Sequence, residues 1–240
     1  PGQQQPYAPE TVRTYEIGAK TSWLDHKLTA NLAIFYNDYR DFQASVTQSV
    51  PDPVQPNPPL IVQTVLNAGK LRTEGAELEL VYRPIKALTL DAQLGYLDAK
   101  YLTFKDLSFP GGSRAFQTPA FSPRNTDRLG AAYRLDLHNL GGLTLGGGAS
   151  YRSRMSLAID DTNTAGKAYA ALFQGAYTLY DARLVWESQD RKYTAGVYAQ
   201  NLGNKIYKTD AQNFTAVAGI QTVYYGAPRT VMFKLTARYF

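Results

Sequence analysis

The chain has 240 residues, a net charge of +5 and no cysteine, so disulfides, thiolate metal sites and cysteine nucleophiles are excluded. Its 25 Lys and Arg are scattered among 20 Asp and Glu, the pattern of mixed solvated charge rather than of a nucleic-acid-binding surface. No stretch approaches the ~18 consecutive apolar residues of a transmembrane helix, which leaves crossing by strands open, because a barrel strand shows lipid only every second side chain.

The first residues, PGQQQPYAPE, have neither the charged start nor the apolar core of a secretory signal, and read as a mature, trimmed or partial sequence. Alternation then dominates, with a period of two that predicts strands between two different surroundings. In 15–23, Tyr15, Ile17, Ala19 and Trp23 share a face, opposite Glu16, Gly18 and Lys20. In 28–36 the apolar face is Leu28, Ala30, Leu32, Ile34 and Tyr36. Residues 76–82 set Ala76, Leu78, Leu80 and Tyr82 against Glu77 and Glu79, and 88–96 set Leu88, Leu90, Ala92, Leu94 and Tyr96 against Asp91 and Gln93. The pattern returns in 129–135, 143–151, 180–186, 193–199 and 231–239, nine strands in all, with no convincing helix.

The connections alternate in length. Short ones are LDHK at 24–27, RPIKA at 83–87, HNLGG at 138–142 and ESQDRK at 187–192; long ones are expected near 46–63, 102–124, 160–174 and 208–226. The first long one holds VPDPVQPNPP at 50–59, which is incompatible with a central strand. Tight turns on one side and long loops on the other are the wiring of bacterial outer-membrane barrels. A soluble sandwich alternates too, but here Trp23, Tyr82, Tyr133, Trp186 and Tyr193 sit by the short turns, and Tyr36, Tyr39, Tyr96, Tyr101, Tyr151 and Tyr180 toward the long loops. Two aromatic girdles around an apolar band favour a membrane barrel, with Lys20, Arg183, Lys234 and Arg238 in a wet lumen.

Four strings carry a resemblance. PETVRTYEIGAK at 9–20, NAGKLRTEGAELEL at 67–80, YAQNLGNKIY at 198–207 and GAPRT at 226–230 resemble, in order, recurrent barrel motifs of the TonB-dependent receptor family. The resemblance implies that residues 1–240 are the C-terminal portion of an antiparallel transmembrane β-barrel, the last nine of about 22 strands, with the plug domain and earlier strands absent. It further implies an outer-membrane receptor that actively imports a scarce nutrient (siderophore-iron, cobalamin, haem or carbohydrate). Its partners would be the TonB–ExbB–ExbD energy-coupling complex, acting through the plug, together with outer-membrane lipid and a small-molecule ligand. By motif position, Glu16 and Glu77 resemble barrel carboxylates that face inward and hold plug arginines; bidentate carboxylate–guanidinium pairing suits that role. The terminal aromatic departs from the family's parity, since Phe240 lies one step beyond Tyr239.

No catalytic constellation is present, and no cofactor is implied. His26 and His138 fall in short turns, and the Gly-rich GLTLGGGAS at 142–150 alternates as a strand. Phe104, Phe109, Arg114, Phe116, Phe121 and Phe214 in the long loops are the candidates for ligand contact, packing within the loops being the alternative role. The rival readings are a passive porin-like diffusion channel, a barrel enzyme, and a soluble lectin-like sandwich.

Overall fold

The computed structural model describes residues 7–239, except 51–53, 55–59, 107–108, 110, 164 and 216–218, and the backbone alone of 45–50 and 60–64. The strands in chain order are β1 (Thr11–Trp23), β2 (Leu28–Val50), β3 (Leu60–Ile85), β4 (Leu88–Phe104), β5 (Asn125–Asp136), β6 (Gly142–Arg152), β7 (Met155–Ser156), β8 (Phe173–Gln174), β9 (Tyr177–Glu187), β10 (Tyr193–Gln200), β11 (Lys208–Phe214), β12 (Ile220–Tyr225) and β13 (Thr230–Ala237). Nine form one antiparallel sheet in the order β1-β2-β3-β4-β5-β6-β9-β10-β13, while β7 pairs β8 and β11 pairs β12. The nine are those expected from the alternation, and neighbours in sequence are neighbours in the sheet.

Register makes the alternation a surface. Directly opposed residues of an antiparallel pair project to the same face. Ala19 lies opposite Leu32, Leu32 opposite Leu78, and Leu78 opposite Leu94. Ala131 faces Gly147, then Ala182, Ala199 and Val231. A largely apolar face therefore runs across all nine strands, interrupted on β5 by Asp127 between Leu94 and Tyr151, and its residues are exposed rather than buried: Ile17 72%, Leu145 58%, Leu235 84%. An exposed apolar patch of this extent is not a soluble surface. At its short-turn end Thr21 Oγ1 donates to the Ala30 carbonyl and accepts from Trp23 Nε1.

Trp23, Tyr82, Tyr133, Trp186 and Tyr193 close this face at the short-turn end, as expected. At the other end the outward tyrosines are Tyr15, Tyr36, Tyr96, Tyr151 and Tyr180; Tyr15 and Tyr36 rings lie 6.4 Å apart. Tyr39 and Tyr101 do not join them. They align with Leu71 on the opposite parity, and Tyr101 is buried among Ala44, Ala68 and Phe104.

The expected loop at 46–63 is shorter. The β2–β3 pairing continues to Val50 and Leu60 past irregularities around Arg40, Phe42 and Gln43, because backbone pairing needs no buried face and runs until proline removes the donor. Apart from Val50 and Val54, the Pro-rich run at 50–59 lies outside the described residues, as does Phe240. Among the described residues, every buried apolar side chain lies at the long-loop end. One cluster (Ala44, Ala68, Tyr101, Phe104) roofs β2–β4; a second (Met155, Leu157, Ala158, Leu172, Ala211) joins the loops after β6 and β10.

Candidate functional site

The polar face of the sheet collects the charged side chains. Arg128 on β5 reaches across β6, donating to Ser150 Oγ and to Asp181 on β9, both at 3.0 Å. Arg134 pairs with Glu187 at 3.5 Å. Glycine makes this possible: a Cβ on Gly148 would meet Arg128 Nη2 at 2.9 Å. The glycines of 142–150 thus let long charged side chains lie flat on the sheet.

Glu16 and Glu77 stand exposed on this face, on β1 and β3. Glu16 is opposite Phe35 and Glu77 opposite Ala33, in adjoining rows two strands apart. Between them the Phe35 ring lies over Gly75, where a Cβ would meet it at 2.8 Å. Among the described residues, neither carboxylate has an ion-pair partner.

Above the polar face, at the long-loop end, three loops fold together. Phe121 N–H donates to the Ser156 carbonyl at 2.9 Å, joining the loop after β4 to the loop after β6. Gln117 Nε2 donates to Thr162 Oγ1 at 2.7 Å. Asn213 Nδ2 donates to the Asp160 carbonyl at 2.7 Å, joining β11 to the β6–β9 loop. Lys208 Nζ donates to the carbonyls of Ala171 and Phe173 at 2.7 and 2.8 Å, which caps the 3-10 turn Ala170–Leu172; burial lowers its pKa. Arg114 Nε is paired with the fully buried carboxylate of Asp106.

These loops line an open cavity of about 620 Å³, within the usual range for a small-molecule site. Its floor is Phe42, Leu71 and Tyr101, and its walls include Phe121, Asp160, Asn213 and Phe214. Burial raises the pKa of Asp160, and also of Asp161 behind it, where a hydrogen bond from Ser156 opposes the rise. The cavity therefore combines aromatic surface with polar groups.

Of the loop residues singled out in the sequence, Phe121 and Phe214 reach this cavity. Phe104 supports it from behind, packed edge-on at 6.0 Å from Phe42. Phe109, Arg114 and Phe116 form their own cluster, with the Arg114 guanidinium 4.6 Å over Phe109 and the Phe109 and Phe116 rings 5.6 Å apart; Phe116 remains 58% exposed. Sequence reading missed Phe42, Tyr101 and Asp160. Phe42 is shifted in face by the irregularity beside it, and Asp160 stands in a polar turn cluster with nothing local to set it apart.

The motifs of the third and fourth strings prove to be one unit. Asn201 is 6% exposed, and its Nδ2 donates to the carbonyls of Lys205 and Ala227 at 2.9 and 3.0 Å. Arg229 N–H donates to Asn204 Oδ1 at 3.0 Å. The Tyr207 ring lies where any Cβ on Gly226 would be and stacks on Tyr177 at 4.8 Å. In the second string, Asn67 donates to the carbonyls of Ala8 and Asp41, fixing the lead-in to β1.

The family described as "TonB dependent receptor-like, beta-barrel" matches residues 1–202. The probable TonB-dependent receptor BfrD of Bordetella pertussis is 26% identical over 218 residues, which are 90% of this chain and 26% of that protein. Among solved structures, the ferric yersiniabactin uptake receptor FyuA of Yersinia pestis superposes with a TM-score of 0.72 at 21% identity, over 98% of this chain and 31% of that one. The FrpB iron transporter of Neisseria meningitidis gives 0.66 at 20% identity, over 95% and 31%. The ferripyoverdine receptor of Pseudomonas aeruginosa gives 0.64 at 20%, over 97% and 28%. The chain spans about a quarter to a third of the length of these relatives. With nine strands in unbroken antiparallel order, one apolar and one polar face, and the family's match over most of its length, the chain belongs to the β-barrel part of the TonB-dependent receptors.

Proposed function

We propose that this chain is a C-terminal portion of the barrel of an outer-membrane receptor that imports a scarce nutrient with TonB-coupled energy. The carrying observation is the asymmetry of the sheet: an apolar face for lipid, a charged face for a lumen, and a folded cap with a 620 Å³ cavity at the long-loop end alone. A ligand arriving from outside meets that cavity first. The cargo class best supported is a ferric siderophore, because the similar solved structures include receptors for ferric yersiniabactin and ferripyoverdine. Phe121 and Phe214 would contact it directly, and the Phe109, Arg114 and Phe116 cluster would meet larger ligands at the rim. Glu16 and Glu77 would hold plug arginines from the wall, and TonB, with ExbB and ExbD, would act through that plug.

Ferric-siderophore uptake by the full-length receptor, in cells with and without TonB, tests this reading. Saturable uptake that disappears with TonB is expected; solute passage that ignores TonB would mean a passive channel. The plug contact has its own contrast. Glu16→Ala with Glu77→Ala should raise protease sensitivity of the plug in the full receptor, while Asp91→Asn should not. Equal effects would remove the assigned role.

A further inference from the structure

Among the described residues of the nine strands, lysine and arginine occur on the lipid-facing parity at one place only. Arg13 lies opposite Asp38, Asp38 opposite Arg72, and Arg72 opposite Lys100. Arg40 lies opposite Lys70 in the next row but one. All are at the long-loop ends of β1–β4, just beyond Tyr15, Tyr36 and Tyr96. Arg124 joins them, its Nη2 3.8 Å from Asp98. The carboxylates on that parity are Asp38, Glu74 and Asp98 in the belt and Asp127 one row inside the tyrosines, four against six cations. Asp98 is contacted by Lys100 at 2.7 Å and Arg72 at 3.4 Å; Arg72 also meets Glu74 at 3.2 Å, and Arg40 meets Asp38 at 3.2 Å. Among the described residues, Arg13 and Lys70 have no ion-pair partner, and the side chains of Lys100 and Arg124 are 56% and 64% exposed.

Such charge is costly in hydrocarbon and nearly free at the membrane interface. Tyrosine rings mark the headgroup level, and this belt begins where they end. A net positive surface at that depth faces the headgroup layer, whose anions are phosphates, and guanidinium groups match phosphate geometry. We propose that the belt on β1–β4 binds the phosphates of phosphorylated lipid headgroups in the leaflet on the long-loop side. The inference rests on the membrane reading above.

The test is lipid retention by the full-length receptor in phosphatidylcholine vesicles doped with a bisphosphorylated glycolipid or its dephosphorylated form. Arg13→Gln, Lys70→Gln and Lys100→Gln should each weaken retention of the phosphorylated lipid about fivefold, more at low salt than high, and leave the dephosphorylated lipid unchanged. Lys234→Gln, on the polar face, should change neither. Retention that ignores the three substitutions, or falls equally for Lys234→Gln, overturns the proposal. So does displacement of the lipid by an equal concentration of inorganic phosphate, which would make the belt a soluble-anion site. Protein that inserts normally but shows no phosphate preference overturns the belt alone; protein that does not insert overturns the membrane reading with it.

Discussion

Asn201 shows how one side chain ties distant sequence together. Its amide spans the turn to Lys205 and the lead-in to β13 at Ala227 while almost wholly buried. Asn201→Ala leaves those backbone groups unpaired, at about 1–3 kcal/mol; urea unfolding of the receptor in detergent should show the loss. Gly226 and Tyr207 are coupled differently. Gly226→Ala alone should destabilise by about 1–3 kcal/mol through overpacking, and the penalty should shrink in a Tyr207→Ala background, since the ring is what the new methyl strikes. Additive losses in that double-mutant cycle would contradict the contact. The buried carboxylates of the cap give a pH signature. Burial raises the pKa of Asp160 and Asp161 above the ordinary 3.8. The unfolded cap then loses its protons first as pH rises, so the stability these groups contribute is complete below pH 3.8 and is lost as pH climbs through the raised values. Amide protection in residues 153–163 and 165–176, with the intrinsic pH dependence of exchange divided out, should fall over that rise, and Asp161→Asn should flatten the fall.

Each strand carries two surfaces, and substitution should distinguish them. Leu78 sits mid-band on the apolar face between Leu32 and Leu94. Leu78→Arg should cost about 2–4 kcal/mol in the membrane and lower the assembled fraction seen by heat-modifiable electrophoretic migration. Asn31→Arg, on the polar face beside Glu79, should assemble normally. This division was legible in the sequence because it is written with a period of two, and all nine strands of the sheet follow from it. What was not legible depends on contacts rather than period. The extension of β2 and β3 rests on backbone pairing, and the two-residue strands β7 and β8 are too short for any period to show. The cavity assembles from Phe42, Phe121, Asp160 and Phe214, which lie on four separate segments. Glu16 and Glu77 were singled out through motif resemblance; the structure brings them to one face, and among the described residues neither has an ion-pair partner.

Together the nine strands make an open wall, not a closed ring, with its buried core displaced to one end. Tertiary packing is concentrated in the loops, while the sheet itself leaves one apolar and one polar face uncovered; on the proposed reading those faces meet lipid on one side and the rest of the barrel on the other. This accounts for a chain in which many large apolar side chains of the sheet are exposed while the buried ones lie in the loops. On the proposed reading of the cavity, Phe121→Ala with Phe214→Ala should weaken binding of a ferric siderophore by roughly thirtyfold or more, the loss of well-placed aromatic contacts being worth about 1–2 kcal/mol each, without altering assembly. The most direct measurement is thiol labelling in intact cells, favoured by the absence of native cysteine in this segment. Lys167→Cys, on the cap, should react with a membrane-impermeant reagent from outside; Leu140→Cys, in a short turn, only after the outer membrane is opened; and Leu235→Cys only with a lipid-partitioning reagent. Labelling of Leu140 from outside, or ready reaction of Leu235 with the water-soluble reagent, would contradict a membrane wall with its cap outward.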